Sequence, residues 1–265
     1  MKDSSSILHI VATPIGNTED ITLRAIKVLE NTRTIICEDT RNAKKLFNLL
    51  NISLKGKTFI SYYKGKESLK LKKIIEIIKE KGEAALISDA GTPLVSDPGY
   101  LLIKEAIKQN IKIIPVPGPS SVLAAIMSAG IKTENGFVFL GFLPNETEKK
   151  KRIFYKYLSL PAAVIFFESP RRIKESIKLL SENFGEREIA ICRELTKVHE
   201  EISRGKAKNI WEAIKERDIK GEIVVIVEGE SRERMPKSYE EIKQILFTTT
   251  TLSEKKIEKI LKNRK

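Results

Sequence analysis

Residues 88–99 read Ser88-Asp89-Ala90-Gly91-Thr92-Pro93-Leu94-Val95-Ser96-Asp97-Pro98-Gly99. Two carboxylates, three hydroxyls and two glycines in so short a space exceed what a simple strand-to-helix link needs, so the stretch is expected to hold a ligand. Gly91 and Gly99 allow backbone conformations closed to other residues and let a ligand come close. The Asp89 carboxylate, just past an apolar run, suits hydrogen bonds from ribose hydroxyls. Asp97, ahead of Pro98, reads more simply as a turn or helix cap.

Three other stretches end apolar runs with reactive side chains. Thr13-Pro14-Ile15-Gly16-Asn17 sits where a phosphate-cradling loop would, but it has neither G-x-G-x-x-G nor a P-loop lysine. Spacing alone makes it a plain turn. Glu168-Ser169-Pro170-Arg171-Arg172 reads as a helix start, with Ser169 as N-cap and Pro170 at the first helical position. Arg171 and Arg172 would then oppose the helix dipole by roughly 0.3–1 kcal/mol each, a conflict that a bound anion reverses. Lys149, Lys150, Lys151 and Arg152 open another helix under the same conflict. In Arg193-Glu194-Leu195-Thr196-Lys197 an arginine, a carboxylate and a hydroxyl meet at a strand end, where pairing among neighbours is the plain alternative.

Other chemistries are disfavoured by scarcity. His9, His199, Cys37 and Cys192 are the only histidines and cysteines, at no metal-ligand spacing and in no Ser/His or Cys/His pattern. Both cysteines lie in apolar runs and read as reduced, buried thiols. The aromatic residues form no interleaved RNA-stacking pattern. Net charge is +13, and the windows 64–73, 148–156 and 254–265 carry nearly all of the excess. Such patches are the footprint of a polyanionic partner, although lysine-rich solvated helix faces would look similar. No apolar run is long enough to span a bilayer and the first six residues are too short and polar to open a signal peptide, so a cytoplasmic location is expected.

The elements that must position these groups alternate regularly. Apolar runs at 7–12, 34–37, 58–62, 84–87 and 111–116 are separated by stretches of helical spacing, including 69–81 with Gly82 as its stop. That pattern predicts a parallel, three-layer α/β sheet. Thr18 or Asp20 is the expected cap of the first helix. The proline cluster at 115–120 marks a boundary, giving an N-terminal α/β domain over 1–117 and a mixed α/β domain over 118–229. The second has strands at 137–142, 162–167, 188–193, 200–203 and 222–228 and helices at 173–182 and 210–216. Residues 230–265 form a small basic helical appendage, with helices near 239–247 and 253–262 and little core of their own.

Taken together, Val11-Ala12-Thr13-Pro14-Ile15-Gly16-Asn17, Glu38-Asp39-Thr40-Arg41, the 88–99 loop, Pro117-Gly118-Pro119-Ser120-Ser121, Phe167-Glu168-Ser169-Pro170-Arg171-Arg172 and Arg193-Glu194-Leu195-Thr196-Lys197 resemble, in order, the small-subunit ribosomal RNA methyltransferases of the tetrapyrrole methylase superfamily. The resemblance implies a cleft between two α/β domains holding S-adenosylmethionine, methyl transfer to the ribose 2′-hydroxyl of a cytidine in the decoding centre of 16S rRNA, and a homodimer. It assigns the cofactor to Pro14, Asp89, Ala90, Gly91, Thr92, Ser120, Ser121, Phe167, Val227 and Gly229. The RNA falls to Arg41, Arg171, Arg172, Arg193 and Lys197. A base for the hydroxyl would come from Glu168, Asp39 or Glu194, with Glu168 first, or from no dedicated residue at all. The rival readings are a precorrin-type tetrapyrrole methyltransferase and a non-catalytic rRNA-binding assembly factor.

Overall fold

A computed structural model of the protein describes residues 6–65, 67–230, 239–250 and 252–262. Its chain forms two compact units that divide between Leu123 and Ala124.

The first unit alternates strand and helix: β1 (Ile7–Val11), α1 (Leu23–Asn31), β2 (Thr34–Cys37), α2 (Thr40–Leu49), β3 (Thr58–Ser61), α3 (Glu67–Lys81), β4 (Glu83–Ile87), α4 (Tyr100–Lys108) and β5 (Lys112–Val116). The sheet order is β3-β2-β4-β1-β5 and every pairing is parallel. Strand sequences that are apolar on both faces require cover on both, and receive it. Leu8, Ile10, Ile36 and Leu86 pack against Ile74 and Ile78 of α3 and Leu102 of α4. Val11, Ile35, Ala85 and Ile87 pack against Leu29 of α1 and Phe47 of α2. Val11 lies level with Ile87 on one side and Val116 on the other. The loops after β1, β4 and β5 therefore leave from one edge of the sheet, where open α/β sheets bind ligands.

Two expected caps are displaced. Thr22, rather than Thr18 or Asp20, caps α1, accepting a hydrogen bond from the Ala25 N–H at 3.1 Å. Thr18–Asp20 is a separate short 3-10 turn capped by Asn17. Helix α4 starts at Gly99, whose φ of 139° only glycine adopts readily, so Asp97 does not cap it.

The second unit contains α5 (Ser121–Ala129, which straddles the division), β6 (Phe137–Phe142), α6 (Thr147–Leu158), β7 (Ala163–Glu168), α7 (Ile173–Phe184), β8 (Glu188–Arg193), β9 (Glu201–Lys206), α8 (Ala207–Ile214) and β10 (Ile223–Val227). Its sheet order is β6-β7-β10-β8-β9; β6 and β7 are parallel and the rest antiparallel, the expected mixed sheet. Phe154, Phe166, Ile177, Leu180 and Val225 centre its core. Helices α9 (Tyr239–Thr249) and α10 (Glu254–Lys262) follow. Ile257 and Leu261 are buried, so this pair has more core than the sequence suggests. Lys243 of α9 pairs with Glu254 and Glu258 of α10, and Arg152 of α6 lies over the Phe247 ring at 5.1 Å. Residues 231–238, 251 and 263–265, the last being the end of the third basic window, lie outside the described residues.

Candidate functional site

In the first unit the three strand-end loops are latched to one another. The Thr13 N–H donates to the Gly91 carbonyl at 2.9 Å and the Gly91 N–H returns a bond to Thr13 at 3.0 Å. Thr92 Oγ1 donates to the Pro119 carbonyl at 3.0 Å. A methyl on Gly91, which holds a φ of 75°, would lie 3.3 Å from Ile15 Cγ2, and one on Gly118 would lie 3.2 Å from Ala12 Cβ, so at both positions the loops approach too closely for a side chain to fit without a shift. Leu94 and Ser96 also hold positive φ, 74° and 72°. Each costs of order 1–3 kcal/mol, and strain of this kind gathers at ligand-binding loops. The structure thus brings Pro14, Asp89, Ala90, Gly91, Thr92, Ser120 and Ser121 to one edge, with Ala90 exposed and Thr92, Ser120 and Ser121 half-buried.

The same edge is strongly acidic. Asp89 accepts from the Asp39 N–H at 3.2 Å and from Asn42 Nδ2 at 2.7 Å, tying the loop to the start of α2. Desolvation pushes Asp97 up to about 6, aided by the nearby charges of Glu38 and Asp89. Burial, with Asp89 and Asp39 beside it, also raises Glu38. Asp39 moves the other way, to about 2, because Arg41 grips it with side chain and backbone N–H. Sequence reasoning assigned no ligand role to Asp97 or Glu38. The available signal was two aspartates in one loop facing a Glu-Asp pair at the next strand end.

In the second unit β7 delivers Phe167 and Glu168. Phe167 stands edge-on to Phe139 and Phe142, with ring centres 4.8 and 5.4 Å away. Glu168 is buried and its oxygens are committed: Arg172 at 2.6 Å, the Ser169 N–H at 2.9 Å and Ser176 Oγ at 2.6 Å. Helix α7 begins later than the sequence implies. The Arg172 and Ile173 N–H groups both donate to the Ser169 carbonyl, so residues 169–172 form a turn and Arg172, not Ser169, occupies the N-cap position. Arg171 accordingly precedes the helix, and the Arg172 charge is met by Glu168 rather than left against the dipole.

Glu194 adopts a φ of 51° and accepts from the Glu222 N–H at 2.8 Å and Lys197 Nζ at 2.9 Å. Those contacts, the backbone one foremost, hold its carboxyl below the usual carboxylate range. Lys197 also pairs with Glu222, and Arg193 pairs with Glu201. Of the five basic residues assigned to RNA, Arg172, Arg193 and Lys197 are therefore braced by carboxylates. Arg41 is largely exposed on Asp39, and among the described residues Arg171 has no ion pair or side-chain hydrogen bond.

Val227 and Gly229 do not join Phe167. Because β10 runs antiparallel to β7, Val227 lies opposite Val164, whereas Phe167 lies opposite Val224. A methyl on Gly229 would come within 2.5 Å of the Pro161 backbone, so this glycine serves close packing.

Residues 7–211 match the family model described as Tetrapyrrole (Corrin/Porphyrin) Methylases. The chain is 44% identical over 227 residues to "Ribosomal RNA small subunit methyltransferase I" of Hydrogenobaculum sp., covering 84% of this chain and 96% of the relative. It is 37% identical over 222 residues to the protein of the same name from Thermotoga maritima, covering 84% and 98%. Among solved structures, the methyltransferase CobJ superposes with a TM-score of 0.65 at 19% identity, over 87% of this chain and 97% of that one. Uroporphyrin-III C-methyl transferase from Thermus thermophilus, complexed with S-adenyl homocysteine, does so with a TM-score of 0.59 at 15% identity, over 84% and 97%.

Proposed function

Since the chain belongs to the ribosomal RNA small subunit methyltransferase I family of the tetrapyrrole methylases, we propose that it transfers a methyl group from S-adenosylmethionine to the ribose 2′-hydroxyl of a cytidine in the decoding centre of 16S rRNA. The observation that carries this reading is the 44% identity extending over nearly the whole of a relative bearing that name. A homodimer working in the cytoplasm is part of the proposal. Among the described residues no helix is long and apolar enough to cross a membrane.

The first unit's loop edge fits the cofactor chemically. Burial and the neighbouring carboxylate charges raise the proton affinity of Asp97 and Glu38, and a sulfonium cation beside them relieves that crowding. Pro14, Ala90, Gly91, Thr92, Ser120 and Ser121 supply close backbone approach and hydroxyls beside them. When bound, S-adenosylmethionine supplies an activated methyl and a neutral thioether leaving group. The chain's own contribution is alignment of the ribose oxygen in line with that methyl. Asp39, Glu168 and Glu194 have their oxygens engaged by cations and N–H groups, so in this reading they position Arg41, Arg172 and Lys197 and the hydroxyl proton leaves to solvent.

The exposed Arg41 and Arg171, unpaired among the described residues, favour RNA over a free tetrapyrrole, as do the three basic windows. Incubating labelled S-adenosylmethionine with small subunits that lack the modification tests the proposal. Incorporation into 16S rRNA is expected, and methylation of free tetrapyrroles instead would replace it. Isothermal titration with the cofactor separates it from the assembly-factor reading, which expects no heat of binding.

A further inference from the structure

Phe142 is 61% exposed at the end of an edge strand. Single exposed apolar residues are ordinary, but this one is held in an unusual way. The pairing of β6 with β7 breaks register between Phe139 and Phe142, and Gly141 takes a φ of 63° at the break. A bulge of this type re-aims the next side chain. The Phe167 ring then braces Phe142 edge-on at 5.4 Å, and Phe139 braces Phe167 at 4.8 Å. The result is a fixed aromatic face turned toward solvent.

The adjoining residues are also fixed. Arg172 donates to the Leu143 carbonyl at 3.0 Å and to Asn145 Oδ1, which ties the segment after Phe142 to the 169–172 turn. Three cations around that turn are paired: Arg172 with Glu168, Lys149 with Glu146, and Lys150, fully buried, 3.4 Å from Glu175. Arg171 alone in the turn is exposed and unmatched among the described residues. One rigid ring and one free guanidinium, on neighbouring segments that are hydrogen-bonded together, are the two contacts that unpaired nucleotides use: a stacking surface for the base and a cation for the phosphate.

We propose that Phe142 and Arg171 form a nucleotide subsite on the second unit, Phe142 stacking an unpaired base of the RNA substrate and Arg171 pairing with a neighbouring phosphate. The subsite rests on the rRNA reading given above. Its chemistry is a single-stranded RNA segment rather than a duplex, because the ring must meet an exposed base face.

The test is fluorescence anisotropy of a labelled single-stranded oligoribonucleotide of about a dozen residues, a length in the range that stacking and phosphate contacts cover. The full chain is used as wild type, Phe142→Ala, Phe142→Trp and Arg171→Ala, with sedimentation of each variant alongside. Phe142→Ala is expected to weaken binding by about tenfold or more with no change in salt dependence, and Phe142→Trp to restore it. Arg171→Ala is expected to weaken binding and to lower the slope of log affinity against log salt by about 1. Equal affinity of wild type and Phe142→Ala would overturn the subsite. So would a Phe142→Ala chain whose sedimentation changes together with its RNA affinity, since the ring would then belong to a contact between subunits. Methyl transfer to small subunits is read separately. A wild type that binds the probe through Phe142 but methylates no subunit would leave the subsite standing and remove the rRNA methylation reading.

Discussion

Asp39, Glu168 and Glu194 stand at strand ends and carry charge, yet each spends its oxygens on a neighbour. For Glu168 the consequence is measurable. Its side chain is fully buried and Arg172, itself 22% exposed, lies 2.6 Å away, so Glu168→Ala should cost about 3 kcal/mol in denaturant unfolding, the lower end for a buried pair because Arg172 keeps some solvent. Glu168→Gln, which keeps the shape and part of the hydrogen bonding, should hold the single-turnover methylation rate within about tenfold, below the roughly 100-fold or more that a general base contributes. A far larger loss with unchanged stability would make Glu168 the base after all. Asp97 offers the opposite case. Its folded pKa, about 6, lies above the ordinary aspartate value, so the folded chain binds the extra proton and this group's contribution to stability is present at low pH and lost as pH rises through 6. Thermal unfolding of the cofactor-free chain should accordingly show Asp97→Asn more stable than wild type at pH 8, with the difference disappearing near pH 4.

Elements explain which parts of this were readable in the sequence. The runs Ala84-Ala85-Leu86-Ile87 and Thr34-Ile35-Ile36-Cys37 are apolar on both faces, and that alone announces strands covered by helices on each side. The helix starts were harder, because Thr18, Asp20, Thr22, Ser169 and Asp97 are all competent caps and only the path of the chain chooses among them. The parallel first sheet and the mixed second one were legible from the spacing of the elements, but which strands of the second reverse was not: Ile223–Val227 reads the same whether parallel or antiparallel. Gly229→Ala should lower the melting temperature, because the added methyl clashes at 2.5 Å with the Pro161 backbone. That Pro14, Asp89 to Thr92, Ser120 and Ser121 would share one edge was legible, because their loops all follow strands of a sheet that reads as parallel. The raised proton affinity of Asp97 and Glu38 was not, since it arises from burial and from charges brought together between loops about 50 residues apart in the chain.

At the scale of the whole molecule, the first unit carries a strained, acidic loop edge and the second a braced basic one, and the two chemistries call for different ligands. A cationic methyl donor suits the first and an RNA phosphate chain the second. The net charge of +13 makes the RNA step electrostatic in origin, so the apparent affinity for small subunits should fall steeply between 50 and 200 mM salt, values at which phosphate contacts lose much of their strength, whereas cofactor affinity should change little. The central claim is the identity of the methylated atom. Small subunits lacking the modification, treated with the chain and labelled S-adenosylmethionine, should yield 16S rRNA whose nuclease digest contains one labelled nucleoside, a cytidine methylated on its ribose 2′-oxygen and mapping to the decoding centre. A label on a base, on another region of the rRNA, or on no RNA at all would contradict the account.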